Sequence, residues 1–141
     1  MRQINIYTDG ASRSNPGPAA IGIVLTDESG NTIETYKEYL GVATNNEAEY
    51  TAIIEGLKRA SKHKARIAKI TSDSQLVVRQ MLGEYQVREP HLRVMWQRVK
   101  EQEAAFEKVE YAHARRSHPI IAKADALCNQ ALDEHLKKHK H

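Results

Sequence analysis

An α/β domain on a five-stranded mixed sheet, three antiparallel strands followed by parallel ones and flanked by helices, is the fold this sequence predicts. Residues 2 to 40 hold three strand-like runs joined only by turn-forming segments. From residue 44 onward, strand-like runs alternate with segments of helical period. At 141 residues the chain fits one domain, which on general scaling buries roughly two-thirds of its unfolded surface.

Residues 2 to 8 alternate apolar with polar and end at Asp9-Gly10, as a strand does. Asn15-Pro16-Gly17-Pro18 suits neither helix nor ladder, and residues 20 to 25 resume as a second, largely buried strand. Asp27 to Asn31 makes a turn into a third strand over 32 to 40. Thr44-Asn45-Asn46-Glu47 has the capping-box pattern, followed by apolar side chains at helical spacing to about Ala60. Residues 66 to 72 read as a strand, and 74 to 82 as a short helix stopped by Gly83. A helix over 91 to 105, a strand over 107 to 113 and a closing helix from Ile120 to about Lys137 complete the order β-β-β-α-β-α-α-β-α. The domain is placed at 1 to 134, with a Lys/His-rich tail over 135 to 141 as a solvated helix end.

Composition excludes several classes. Hydrophobic residues make up 40% and charged residues 28%, as in an ordinary globular chain. No stretch approaches the ~20 apolar residues of a membrane span, so no membrane partner and a cytoplasmic location are expected. No dimer surface is evident in the pattern, and a monomer is expected. Cys128 is the only cysteine and falls on an apolar helix face, so packing is its expected role. Trp96, midway along the third helix, is likewise expected to be core. The net charge of +3 permits a polyanionic partner without requiring one.

Certain carboxylates sit where acids are costly. At about 100° per residue, Glu49 shares a helix face with Ala52, Ile53, Gly56 and Ala60, whereas Glu47 points the opposite way, as a capping residue should. Asp125 falls beside Ile121, Ala122, Cys128 and Leu132 in the last helix. Asp9 and Asp73 each follow directly on a strand, the position whose side chains line the ligand crevice of open α/β sheets. A bland reading exists for each: an arginine or backbone partner for Glu49, a turn for Asp9, a helix cap for Asp73. Burying an unpaired carboxylate costs several kcal/mol, however, and four acids at one sheet edge would repel one another without a cation. Oxygen ligands of this kind suit Mg²⁺ or Mn²⁺, and no Cys/His set has zinc spacing.

Tyr7-Thr8-Asp9-Gly10-Ala11-Ser12 with Asn15-Pro16-Gly17-Pro18, Thr44-Asn45-Asn46-Glu47-Ala48-Glu49-Tyr50, Ser72-Asp73-Ser74-Gln75 and Ala124-Asp125-Ala126-Leu127 together resemble type 1 ribonuclease H over residues 2 to 134. The resemblance implies a ribonuclease H-like fold and an endonuclease that hydrolyses the RNA strand of RNA–DNA hybrids, leaving a 5′-phosphate and a 3′-hydroxyl. It implies Asp9, Glu49, Asp73 and Asp125 as ligands of two Mg²⁺ (or Mn²⁺) ions, one activating the attacking water and one stabilising the leaving oxygen. It further implies hybrid contacts by Asn15, Asn45, Asn46 and Gln75, with 2′-hydroxyls distinguishing the cleaved strand. An assisting histidine on the loop before the last acid is also implied. His113 and His118 are the candidates, and His118, seven residues before Asp125, is favoured. The basic, Trp-rich protrusion of some members is replaced by Gly83 to Pro90, as in compact bacterial and archaeal members, so salt-sensitive hybrid binding is expected. A catalytically silent hybrid-binding domain and another nuclease of the same superfold stay open as alternatives.

Overall fold

In the computed structural model, which describes residues 1–138, the chain forms β1 (Gln3–Ser12), β2 (Gly17–Thr26), β3 (Thr32–Ala43), α1 (Asn45–Ser61), β4 (Ile67–Ser72), α2 (Gln75–Met81), α3 (Pro90–Glu103), β5 (Lys108–His113) and α4 (Pro119–Lys138). The strands lie side by side in the order β3-β2-β1-β4-β5. β1 is antiparallel to β2 and parallel to β4, and β4 is parallel to β5. This is the expected mixed sheet, with helical crossovers serving the parallel pairs.

The first three strands are longer than their sequence signals. β1 runs through Asp9 and Gly10 to Ser12, because those residues continue the ladder with β2: Asp9 opposite Gly22, Ser12 opposite Ala19. β2 begins at Gly17, where Pro18 lacks a donor but accepts from the Arg13 N–H at 2.9 Å. β3 continues past 40 to Ala43. Glycine and proline read locally as strand breakers, and pairing with a neighbouring strand overrides that reading.

The sheet separates two packing layers. Ile4, Ile6, Ile21, Ile23, Leu25 and Ile70 are fully buried in one core with Tyr50, Ile53 and Leu57 of α1. Ala20 packs with Cys128, Ala131 and Leu132 of α4 in the other. Cys128 is buried there, its thiol donating to the Ala20 carbonyl at 3.2 Å. Gly22 lets α4 come close, since a Cβ on it would lie 2.0 Å from the Ala124 carbonyl oxygen. Trp96 is half-buried against the larger core, as expected. Ala122, expected beside Asp125 on the inner face of α4, is exposed; the face that packs inward carries Ile121, Ala124, Cys128, Ala131 and Leu132.

Thr44 caps α1 reciprocally with Glu47: the Glu47 N–H donates to Thr44 Oγ1 at 3.1 Å, and the Thr44 N–H to Glu47 Oε1 at 2.9 Å. Replacing Thr44 by alanine is expected to cost about 1 to 2 kcal/mol in urea unfolding, the upper part of the range for a lost cap. α4 crosses residue 134 without a break and reaches Lys138, with His135 stacked on Tyr39 at 3.6 Å between ring centroids. The last three residues of the expected tail, 139–141, lie outside the described residues. Among the described residues, no helix is long and apolar enough to cross a membrane.

Candidate active site

Four different elements deliver the four acids. Asp9 lies on β1, the central strand. Ile6 and Thr8 of the same strand would meet a Cβ on Gly56 of α1, so they face that helix, whereas Asp9 lies beside Asp125 of α4, whose carboxyl helps raise its pKa. Asp73 follows the end of β4. It does not cap α2: Ser74 does, its Oγ accepting from the Val77 N–H at 3.2 Å. Asp73 is therefore released from the bland role its position suggested. Glu49 reaches in from the second turn of α1, and Asp125 from the first half of α4.

Their electrostatics are those of crowded, desolvated acids. Asp9 is 3% exposed, and its carboxyl pKa is pushed up to about 8. Burial is the main cause, followed by the charge of Asp73 and then the hydrogen bond and charge of Asp125. Glu49 is pushed up to about 7, first by burial and also by Asp73; a hydrogen bond to the Ser74 side chain opposes the rise. Asp9 Oδ2 and Asp73 Oδ1 are both buried without a hydrogen-bond partner. Uncompensated buried carboxylate oxygens of this kind need an explanation.

Part of the compensation is Arg116, on the loop between β5 and α4. Its Nη2 lies 3.4 Å from Asp73 Oδ2 and its Nε 3.7 Å from Asp125 Oδ1, with 65% of the side chain exposed. These contacts are long and solvent-screened. Arg116→Ala is expected to lower metal-free stability at pH 8 by less than about 1 kcal/mol, the difference fading in 1 M salt. Urea unfolding at two salt concentrations checks this.

Among the described residues, no three His, Cys, Asp or Glu side chains stand in ready-made metal-ligand geometry. Asp9 is in electrostatic reach of Asp73 and Asp125, and Glu49 of Asp73, so Asp73 links the two pairs without the four being drawn around one point. The donor set still fits a hard divalent cation. It offers only carboxylate oxygens, two of them orphaned and buried, which suits Mg²⁺ or Mn²⁺ and not zinc.

The other expected site residues divide. Asn15 and Asn45 are hydrogen-bonded to each other: Asn45 N–H donates to Asn15 Oδ1 at 3.1 Å, and Asn45 Oδ1 accepts from Ser12 N–H at 2.7 Å. The Asn45 amide group is thereby oriented with its NH₂ still available. Asn46 is half-buried beside them, and Gln75 is exposed at the first turn of α2. The His118 ring is engaged as a cap on α4, Nδ1 accepting from the Ile120 N–H at 3.2 Å, and it stacks on Tyr7 at 5.5 Å. His113 is exposed, with Nε2 3.1 Å from the Asp73 carbonyl oxygen. Arg116 is the residue that sequence reading missed. The Arg115-Arg116 pair just before the last acid was its signal, but spacing alone gave no way to aim one of the two at the acids.

Residues 7–131 match the family model described as reverse transcriptase-like. A ribonuclease HI of Halobacterium salinarum is 39% identical over 132 residues, covering 94% of this chain and 65% of that protein. A ribonuclease H of Bordetella pertussis is 32% identical over 144 residues, covering 94% and 90%. The crystal structure of LC11-RNase H1 from compost, in complex with RNA/DNA hybrid, superposes with a TM-score of 0.89 at 39% identity, covering 94% of this chain and 99% of that one. The chain thus spans 65% of the length of the Halobacterium relative, and 36% of the length of mycobacterial ones.

Proposed function

The chain belongs to the ribonuclease H family, and on that premise we propose that it is an endonuclease that hydrolyses the RNA strand of RNA–DNA hybrids, leaving a 5′-phosphate and a 3′-hydroxyl. The observation that supports this is the approach of Asp9 to Asp73 and Asp125 and of Glu49 to Asp73, from β1, α1, the end of β4 and α4, with Asp9 and Glu49 shifted to near-neutral pKa and one oxygen each of Asp9 and Asp73 orphaned. A structural ion-pair network would satisfy those oxygens. A cation site keeps them for its ligand.

In this reading the four acids hold two Mg²⁺ or Mn²⁺ ions. Bound there, the ions would supply activation of water and stabilisation of the charge developing on the phosphoryl and leaving oxygens. The chain's own residues do the rest. Burial and the charge of Asp73 keep Asp9 and Glu49 poised to exchange a proton for a cation near neutrality. Arg116, mostly exposed, is free to leave Asp73 and Asp125 for a non-bridging phosphate oxygen. Asn15, Asn45, Asn46 and Gln75 are proposed to contact the hybrid beside the cleaved bond, where the linked pair Asn15 and Asn45 supplies a pre-oriented amide. The assisting histidine is proposed to be His113, which is exposed beside Asp73, whereas the His118 ring is engaged by helix α4 and Tyr7. The enzyme is proposed to act as a monomer in the cytoplasm.

A labelled RNA strand annealed to DNA, incubated with Mg²⁺ or with chelator, tests the proposal. Internal cuts bearing 5′-phosphates, dependent on the metal and absent on duplex DNA, are expected. Tight hybrid binding without cutting would instead indicate a silent binding domain, and cutting of duplex DNA alone would indicate a different nuclease.

A further inference from the structure

Gly10 follows Asp9 on β1 and is buried against the first turns of α1. A Cβ at Gly10 would lie 2.4 Å from both the carbonyl carbon and the oxygen of Ala48 and 2.6 Å from the nitrogen of Glu49. The atoms resting on the glycine are therefore those of the peptide that leads into Glu49. They are backbone atoms inside a helix, which cannot rotate aside as a side chain can.

We propose that Gly10 is a positioning residue for the metal site, a seat on which the Ala48–Glu49 peptide rests so that the Glu49 carboxylate is held at a fixed offset from Asp9. This rests on the metal-site reading above. A methyl group at residue 10 must push the start of α1 away by about 1 Å to reach ordinary contact. Cation ligands tolerate only about 0.2 Å of distance error. The displacement would thus spoil ligation by Glu49 well before it dismantled the core.

A second glycine on the same interface provides the comparison. Gly56, two turns along α1, also lies against β1, but a Cβ there would meet the side-chain methyl groups of Ile6 at 2.8 Å and of Thr8 at 3.4 Å. Those groups can yield, and the contact is remote from the peptide carrying Glu49. Gly56→Ala disturbs the packing of helix on strand without moving the seat.

The test titrates Mn²⁺ into the wild-type protein, Gly10→Ala and Gly56→Ala by calorimetry at pH 7.5, alongside urea unfolding of each. Gly10→Ala is expected to bind Mn²⁺ at least tenfold more weakly, and Gly56→Ala to stay within twofold of wild type, even where the two lose similar stability. Mn²⁺ binding by Gly10→Ala equal to wild type would overturn the proposal, as would equal losses of Mn²⁺ affinity in the two variants. A wild-type protein that binds no Mn²⁺ would overturn the metal-site reading itself. If Gly10→Ala does not fold in buffer, all three proteins are measured in trimethylamine oxide, which favours the compact state. Failure of Gly10→Ala to fold even there, with Gly56→Ala folded, would make the glycine a folding requirement and overturn the positioning role.

Discussion

Replacing Asp9 by asparagine is expected to lower hybrid cleavage by on the order of 10³-fold or more and, in the same protein, to raise metal-free stability at pH 8. The two effects have one cause. The Asp9 carboxyl is buried, faces Asp73 and Asp125, and has an orphaned oxygen, so its ionised form is held against both desolvation and like charge. Under the proposed function, that expense is offset by the cation the charge would bind. Asparagine keeps the shape, removes the charge and removes the proposed cation ligand. Because the pKa rises from 3.8 to about 8, the gain at pH 8 is on the order of a few kcal/mol. Cleavage rates, with urea unfolding in chelator, check both halves. A variant that loses activity and stability together would mean that Asp9 is mainly a structural acid.

The second large effect is on pH dependence. The carboxyls of Asp9 and Glu49 bind their protons more tightly in the folded chain than in the unfolded one, with values of about 8 and about 7 against 3.8 and 4.5. Between those limits the native state holds more protons, so metal-free stability must fall as pH rises through the window. Asp27, Glu28, Glu34 and Glu47 are shifted down and act in the opposite sense, but the stability they supply is lost only as pH drops through the ordinary carboxylate range and below. From pH 5 to 8 the raised acids therefore dominate among these carboxyls. A drop in melting temperature on the order of 10 °C is expected over that interval in chelator. Saturating Mg²⁺ should remove most of it, raising the melting temperature strongly at pH 8 and little at pH 5. A metal-free profile that is flat or rising over this window would contradict the crowding of the four acids.

Much of this site could be read from one-dimensional pattern because its parts obey local rules. The capping box at Thr44 and Glu47 set the phase of α1, and the phase alone separated the inward Glu49 from the capping Glu47. What stayed hidden depends on partners distant in sequence. β1 seemed to end at Asp9 because glycine reads as a breaker, and only its pairing with β2 carries the ladder to Ser12. The capping of α2 by Ser74 rather than Asp73 is a choice between two adequate caps that the tertiary fold makes. His113 ends β5, and Arg116 and His118 sit on the loop that follows, whose path no periodicity encodes; spacing favoured His118, whose ring caps α4. The contact at Gly10 joins residues 10 and 48 across the turns and strands between them, and no local signal marks it.

Anomalous diffraction from crystals grown in Mn²⁺ tests the central proposition most directly, because it locates the cations without reference to activity. Density peaks bounded by carboxylate oxygens of Asp9, Glu49, Asp73 and Asp125, with the Arg116 guanidinium displaced from Asp73 and Asp125, are the expected result. No peak among these acids at saturating Mn²⁺, with Arg116 still lying against Asp73 and Asp125, would contradict it.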